Sequence, residues 1–164
     1  MHEQGLLHEA FSIFVWDMYG KIILQQRANS KYHSGGLWAD TCSSHPRYEE
    51  SSKDAAYARL EYEIGIQCKL AFAFNFGYNE HVGNGFIENE LDYVFVGRTW
   101  YSKSQIEEKI NKAEVAAVKL LSLASLRKDV KRNPKNYAIW LRIIMDEYFN
   151  ELKDAYKKLK VNSV

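Results

Sequence analysis

The clearest structural signal in the chain is a helical pattern within residues 51–66, which read Ser51-Ser52-Lys53-Asp54-Ala55-Ala56-Tyr57-Ala58-Arg59-Leu60-Glu61-Tyr62-Glu63-Ile64-Gly65-Ile66. Ser51 and Ser52 offer hydroxyl oxygens that can cap the first free N–H groups. Asp54 places a negative charge near the positive end of the helix. Gly65 is a common residue just beyond a helix C-terminus, so the sequence predicts a helix over Ala55–Ile64.

Other elements are predicted on both sides of this helix. Apolar, aromatic and β-branched runs predict strands at Ala10–Trp16, Lys21–Arg27, Cys68–Tyr78, Glu90–Thr99 and Val115–Leu121. A polar link, Asn79–Phe86, separates the third strand from the fourth. Further helices are predicted at Ser102–Glu114, Leu123–Asn133 and Tyr137–Lys160, the last from its amphipathic spacing. This mixture predicts an α+β fold, an α/β/α sandwich, as a single domain over residues 1–164.

The composition excludes several classes of protein. The 164 residues include 22 Lys and Arg against 21 Asp and Glu, so the chain lacks the broad basic field of a nucleic-acid binder. Two cysteines are too few for a disulfide scaffold, and no apolar run is long enough for a membrane span. The polar N-terminus does not resemble a secretory signal. We therefore expect a cytoplasmic protein with neither nucleic acid nor membrane as partner, and the oligomeric state stays open.

A second informative stretch reads Ser30-Lys31-Tyr32-His33-Ser34-Gly35-Gly36-Leu37-Trp38-Ala39-Asp40-Thr41-Cys42-Ser43-Ser44-His45-Pro46. Its paired glycines allow a tight turn and a close approach of the backbone to a ligand. A large aromatic, Trp38, and the histidine of Ser44-His45-Pro46 follow. We expect a loop and a short strand here. In an extended segment, Cys42 and Ser43 point to opposite faces.

One set of side chains has the composition of a site for Mn²⁺, Mg²⁺ or Zn²⁺. Glu88 and Glu90 are two residues apart, so in a strand they project from the same face. The candidate ligands are His2, His8, His45, Glu88 and Glu90. Judged from the residues alone, scattered histidines on a surface and a solvated Glu-x-Glu face are the more common interpretation.

The stretch 30–46 resembles the active-site segment of type I isopentenyl-diphosphate isomerases, which usually reads close to K-x-H-S-G-G-L-W-T-N-T-C-C-S-H-P. The run His2–His8 is similar to H-E-K-G-L-L-H of the same family, and Glu88-Asn89-Glu90 matches its E-N-E. The resemblance implies that the five candidate ligands bind one divalent ion. The reaction it implies is the interconversion of isopentenyl and dimethylallyl diphosphate.

The helix resembles a degraded Nudix box, G-x5-E-x7-R-E-U-x-E-E-x-G-U. Ala58 replaces the arginine, and Arg59 and Tyr62 replace two glutamates that a pyrophosphate hydrolase uses to hold metal ions. These departures are those of the isomerase family, which keeps the Nudix fold: a mixed sheet flanked by helices. The resemblance implies that Glu63 helps to bind a Mg²⁺ that bridges to the diphosphate. Taken alone, Glu63 is equally explained as an i,i+4 partner of Arg59.

The resemblance also assigns the remaining site residues. Three cations, Arg27, Lys31 and Arg59, fall at diphosphate-binding positions, with His33 and the backbone near Ser44 also within reach of phosphate oxygens. Trp38, Tyr78 and Trp140 match positions that line the pocket of a carbocation-like intermediate. The catalytic positions are occupied by Ser43, Glu90 and Tyr78.

The most consequential departure is Ser43, which stands where the family has its catalytic cysteine. A thiol titrates near pH 8.5, whereas a serine hydroxyl is far less acidic, so we expect turnover to be reduced by about 10² to 10⁴. A milder departure is Ala39-Asp40 in place of Thr-Asn. Family members also usually carry a further segment before the first histidine, so the resemblance implies a shortened N-terminus.

Three interpretations remain at this stage. The first is a type I isomerase impaired at Ser43. The second is a non-catalytic protein that binds metal and diphosphate. The third, disfavoured by Arg59 and Tyr62, is a Nudix pyrophosphohydrolase.

Overall fold

The computed structural model describes residues 5–31 and 33–162. The elements in these ranges are β1 (His8–Trp16), β2 (Ile22–Arg27), β3 (Trp38–Ala39), β4 (Cys42–Ser44), α1 (Ser52–Ile64), β5 (Leu70–His81), β6 (Ile87–Arg98), α2 (Lys103–Lys109), β7 (Val115–Leu121), α3 (Leu123–Arg132), a short 3₁₀ turn (Pro134–Asn136), α4 (Ile139–Glu147) and α5 (Phe149–Asn162). None of the helices described here combines the length and the apolar character that crossing a membrane requires.

The sheet is mixed and is centred on β1. Its main path runs β3-β2-β1-β6-β5, with β4 beside β1 and β7 beside β2. Strand β1 pairs with β2 and β4 in antiparallel fashion, and with β6 in parallel. The parallel register puts His8 opposite Glu90, and the antiparallel register puts Ser12 opposite Ser43. Two strands that carry candidate site residues, β4 and β6, therefore lie on either side of β1.

Two hydrophobic cores cover the two faces of this sheet. Alternation along β1 directs Phe11 and Ile13 towards α1 and α2, in a core that also contains Leu60. The opposite face directs Phe14 and Trp16 towards α3, α4 and α5. The predicted α/β/α sandwich, a mixed sheet flanked by helices, is confirmed.

Helix α1 has the ends that the sequence predicts, although it begins at Ser52. The Ser51 hydroxyl accepts a hydrogen bond from the Asp54 backbone N–H at 3.1 Å. Gly65 has φ +77° and donates its N–H to the Leu60 and Glu61 carbonyls. A Cβ at Gly65 would lie 2.6 Å from the Lys109 backbone oxygen, so glycine is needed both for its conformation and for the approach of α2.

The single helix predicted over Tyr137–Lys160 is wrong, because the chain forms two helices that meet at Tyr148. This residue has φ −124°, outside the helical region, and its ring lies 4.8 Å from that of Phe76 on the sheet. The change of direction lets Tyr156 of α5 stack on Trp16 at 4.5 Å between ring centroids. Packing on the sheet therefore overrides a continuous amphipathic pattern.

Two other boundaries differ from the prediction. The polar link Asn79–Phe86 is shorter than expected, because β5 continues to His81 and β6 already begins at Ile87. Pairing between the two strands satisfies the backbone hydrogen-bonding groups of these polar residues, so the segment forms a strand although it has no apolar face. Helix α2 ends at Lys109 rather than at Glu114, as the chain turns and leads into β7.

Candidate active site

A cavity of about 400 Å³ opens beside β1, between residues of β4 and β6. Its volume lies within the usual range for small-molecule sites. Among the residues that line it are Arg27, Lys31, His33, Ser43, His45, Arg59, Glu88, Glu90, Asp92 and Trp140. The structure thus brings most of the candidate side chains to one cavity, although they come from several different elements.

Three candidate metal ligands form one cluster. A ligand atom from each of His8, His45 and Glu90 can be chosen so that all lie within 4.8 Å of one another. The Glu90 Oε1 atom is 2.7 Å from Nε2 of His45 and 3.2 Å from Nε2 of His8. The parallel register of β1 and β6 brings His8 to Glu90, and His45 follows the last residue of β4. The remaining candidate histidine ligand, His2, lies outside the described residues.

The donor chemistry of this cluster fits a divalent ion. The Nδ1 atom of His8 donates to the Leu6 carbonyl at 2.9 Å, which orients Nε2 towards Glu90. Without an ion Nε2 donates to Glu90, and it would bind an ion after losing that proton. Burial acts to raise the pKa of Glu90, but hydrogen bonds from His45 and His8 outweigh it and hold that pKa well below its usual range. The carboxylate therefore stays charged, and two imidazoles with one carboxylate suit Mn²⁺ or Zn²⁺.

Glu88 and Tyr78 adjoin the cluster. The Tyr78 hydroxyl lies 2.8 Å from Glu88 Oε2 and 2.7 Å from Glu90 Oε2, which confirms that both carboxylates project from one face of β6. Burial and the neighbouring Glu90 charge raise the pKa of Glu88 to about 7. Its other oxygen lies 3.0 Å from Nδ1 of His33. Glu88 is thus linked to the metal cluster through Tyr78 and stands outside the set of three ligands.

Two of the three predicted diphosphate cations share a pair of carboxylates. Arg59 and Lys31 lie 2.5 Å and 3.1 Å from Oε1 of Glu63, and both also contact Glu114. Glu63 is fully buried. Burial acts to raise its pKa, but Lys31, a hydrogen bond from Cys42 and Arg59 together lower it. The cations are therefore held beside the cavity by negative charge, and the predicted Arg59–Glu63 pair is confirmed.

Cys42 and Ser43 point to opposite faces, as strand alternation predicts. The Cys42 thiol is fully buried and donates to Glu63 Oε2 at 3.0 Å. Burial and the Glu63 charge raise its pKa well above the usual value, so it stays a thiol and faces away from the cavity. Ser43 lines the cavity instead and donates to Asp40 Oδ1 at 2.5 Å.

Of the three candidate aromatic residues, one lines the cavity, one reaches the site through its hydroxyl, and one packs against the core. Trp140 lines the cavity, and the Arg27 guanidinium lies 5.3 Å from its ring centroid. Tyr78 reaches the site through its hydroxyl. Trp38 packs on the core from β3, with the Lys119 ammonium 4.2 Å from its ring centroid.

Several residues of the site were not singled out from the sequence. Asp92 lines the cavity and accepts a hydrogen bond from Ser12 at 2.8 Å. It continues the alternation of Glu88 and Glu90 along β6, so a longer period-two pattern would have found it. Glu114 had no comparable signal, because it approaches Arg59 through the turn that follows α2.

Comparison with known proteins agrees with this arrangement. Residues 6–142 match the family model described as NUDIX domain. The chain is 44% identical over 145 residues to isopentenyl-diphosphate Delta-isomerase 2 of Aromatoleum aromaticum, covering 88% of this chain and 74% of that protein. It is 42% identical over 146 residues to isopentenyl-diphosphate Delta-isomerase 2 of Photorhabdus laumondii, covering 89% and 80%.

Solved structures share the fold at low sequence identity. A MutT protein from Methanosarcina mazei superposes with a TM-score of 0.69 at 14% identity, covering 90% of this chain and 95% of that one. A MutT NUDIX hydrolase from Burkholderia pseudomallei gives a TM-score of 0.63 at 14% identity, covering 87% and 98%. At such identities the likeness concerns the fold alone.

Proposed function

Because this chain belongs to the NUDIX domain family, and within it to the isopentenyl-diphosphate Delta-isomerases, we propose that it interconverts isopentenyl and dimethylallyl diphosphate. The observation that carries the proposal is one cavity lined both by cations, Arg27, Lys31 and Arg59, and by Ser43, Glu90 and Trp140. The cations suit a diphosphate, and the second group suits proton transfer beside an aromatic face. We also propose a cytoplasmic location and a single functional unit over residues 1–164.

In this reaction the terminal alkene carbon gains a proton and C2 loses one. Ser43 and Glu90 occupy strands on either side of β1, so they approach the substrate from different walls of the cavity. Ser43 is the donor at the alkene carbon, and Glu90, assisted by Tyr78, receives the proton from C2. The face of Trp140 stabilises the positive charge that develops between the two steps.

The metal sites are part of the same proposal. His8, His45 and Glu90 would hold one divalent ion, with Glu88 and His2 as further candidates, and Glu63 would hold Mg²⁺ together with diphosphate oxygens. A bound divalent ion supplies positive charge that favours the ionised carboxylate and neutralises the diphosphate. Glu63 fits this role because its pKa is lowered and it sits beside Lys31 and Arg59.

Mn²⁺ binding provides the first test of the site. We expect the protein to bind Mn²⁺ in a calorimetric titration and His45→Ala to weaken that binding at least about tenfold, because it removes one of three ligands. His81→Ala, which changes an exposed histidine, is the matched control. If crystals soaked in saturating Mn²⁺ show no ion beside His45 and Glu90, the site is refuted.

Ligand preference provides the second test. We expect isopentenyl diphosphate to bind more tightly than ATP, and Arg59→Ala to weaken that binding by about 10-fold to 100-fold, the usual value of a hydrogen bond to a charged group. Arg132→Ala removes an exposed arginine at the end of α3 and serves as the control. Tighter binding of ATP would contradict the proposed substrate.

The other two interpretations predict different products. A non-catalytic binding protein would bind isopentenyl diphosphate without forming dimethylallyl diphosphate. A pyrophosphohydrolase would release phosphate, but Arg59 and a half-exposed Tyr62 stand where its metal-binding glutamates are needed. Product analysis after incubation with labelled isopentenyl diphosphate separates all three.

A further inference from the structure

Asp40 is a buried acidic residue beside the proposed site, and it has no part in the proton transfers assigned to Ser43, Glu90 and Tyr78. It lies between β3 and β4 and has no exposed surface. Its Oδ2 atom accepts a hydrogen bond from the Ile13 backbone N–H at 2.9 Å. Its Oδ1 atom accepts from Trp140 Nε1 at 2.8 Å and from the Ser43 hydroxyl at 2.5 Å. Ser43 and Trp140 both line the cavity, so Asp40 is one hydrogen bond removed from the substrate site.

The protonation state of Asp40 can change near neutral pH. Burial raises the pKa of Asp40 to about 6, against the opposing hydrogen bonds from Ser43, Trp140 and Ile13. Among the described residues, the titratable groups coupled electrostatically to Asp40 are Asp92 on β6 and Cys42 on β4, the latter a neutral thiol. A general acid works best when its pKa lies close to the operating pH. A serine hydroxyl is far from that range, whereas the carboxyl bonded to it is close.

We propose that Asp40 and Ser43 form a proton relay that supplies the alkene carbon in place of a thiol. This inference rests on the proposed isomerase reaction and deepens it. Stretch 30–46 departs from the isomerase pattern at Ala39, Asp40 and Ser43, and the last two are joined by this 2.5 Å hydrogen bond. The substitutions Asp40 and Ser43 therefore act as a pair, with Asp40 as the positioning residue and proton source behind the hydroxyl.

The relay moves two protons, one to the substrate and one within the protein. When Asp40 is protonated on Oδ1, the hydrogen bond to Ser43 reverses: Oδ1 donates to the serine oxygen, and the hydroxyl proton can point at the alkene carbon. The π electrons of the alkene form a C–H bond with that hydroxyl proton, and the Ser43 O–H bond breaks. The proton on Asp40 Oδ1 passes to the serine oxygen, which leaves Asp40 as a carboxylate and the substrate as a tertiary cation. Loss of the C2 proton to the Glu90 side forms the new double bond. Asp40 regains its proton from solvent before the next turnover.

If Asp40 had only a structural role, it would need to accept hydrogen bonds but not to donate a proton. The amide oxygen of asparagine could accept from Trp140 and Ser43 as Oδ1 does, but its NH₂ group would take the place of Oδ2 and lose the bond from the Ile13 N–H. Asparagine has no proton to give at neutral pH. The lost Ile13 bond is the same whether residue 43 is serine or cysteine, so comparing Asp40→Asn in these two backgrounds separates support of the loop from transfer of a proton.

The test compares Asp40→Asn in the unchanged protein and in a Ser43→Cys background. In the unchanged protein we expect kcat to fall at least about tenfold with little change in KM, because a general acid is typically worth 10² to 10⁴ in rate. In the Ser43→Cys background the penalty of Asp40→Asn should be several-fold smaller, since a thiol does not need the neighbouring acid. The relay needs Asp40 in its protonated form. The rate of isopentenyl diphosphate consumption should therefore decline as the pH rises above about 6, the pKa of Asp40. Asp40→Asn should remove this decline from the pH–rate profile.

The possible results distinguish the relay from the reaction it rests on. An equal loss in both backgrounds, or no loss in the unchanged protein, overturns the relay. The relay is also overturned if the rate of the unchanged protein does not fall above about pH 6, and this measurement is possible even if Asp40→Asn fails to fold. If none of the four proteins turns over isopentenyl diphosphate, including Ser43→Cys, the proposed isomerase function fails, and the relay fails with it.

Discussion

Replacing Glu90 by glutamine should reduce the turnover of isopentenyl diphosphate by about 10² to 10⁴, the range for a positioned acid or base. Glutamine keeps the shape of the side chain but removes the charge that binds His8, His45 and Tyr78. It therefore removes both the proton acceptor and the anionic member of the metal cluster. The measurement is steady-state formation of dimethylallyl diphosphate at saturating substrate and Mg²⁺.

The matched control is Glu80→Gln on β5. Glu80 lies on the adjoining strand, paired with Glu88 across the two backbones, but its side chain is exposed. We expect the kcat of Glu80→Gln to stay within about twofold of the unchanged protein. The substitution is on the surface and away from the cavity, so it should perturb the fold little. A loss of less than tenfold for Glu90→Gln would show that another group removes the C2 proton.

Ser43→Cys should raise the rate of dimethylallyl diphosphate formation at least about tenfold, with little change in substrate affinity. The thiol fills nearly the same space on β4 and titrates near pH 8.5, so it exchanges a proton far more readily than a hydroxyl. Cys42 does not already provide this function, because it is buried on the other face and its pKa is raised.

The appropriate control introduces a thiol elsewhere, as in Ser104→Cys on the exposed surface of α2. It should leave the rate unchanged, whereas Ser43→Cys should also become sensitive to thiol-alkylating reagents. If the unchanged protein already turns over at about 1 s⁻¹ or faster, an ordinary enzymatic rate, serine at this position is not a serious impairment.

Local signals in the sequence predicted much of the fold. The ends of α1 follow from Ser51 and Gly65, whose capping roles depend on nearby atoms only. The apolar and β-branched runs likewise predicted most of the strands, and the two-residue spacing of Glu88 and Glu90 predicted their shared face. The break at Tyr148 was not predictable in this way, because its cause is a contact with Phe76 from a distant strand.

The candidate site was predictable to a smaller extent, and mostly through resemblance. His8 and His45 lie beside Glu90 because of the strand register, which no local sequence pattern specifies. The hydrogen bond between Asp40 and Ser43 depends on how the loop between β3 and β4 folds. The sequence identified both substitutions, but only the structure connects them. His2 as a ligand stays a prediction.

The parallel pairing of β1 with β6 also has a consequence for how the chain is made. His8 and Glu90 are 82 positions apart, so a nascent chain exposes β1 long before the ribosome has completed its parallel neighbour. Pairings of such high contact order form slowly, because a large loop must close first. An ion that binds only the completed cluster shifts the equilibrium towards the folded protein. The residues that carry the chemistry are therefore among the last to be brought together during biosynthesis.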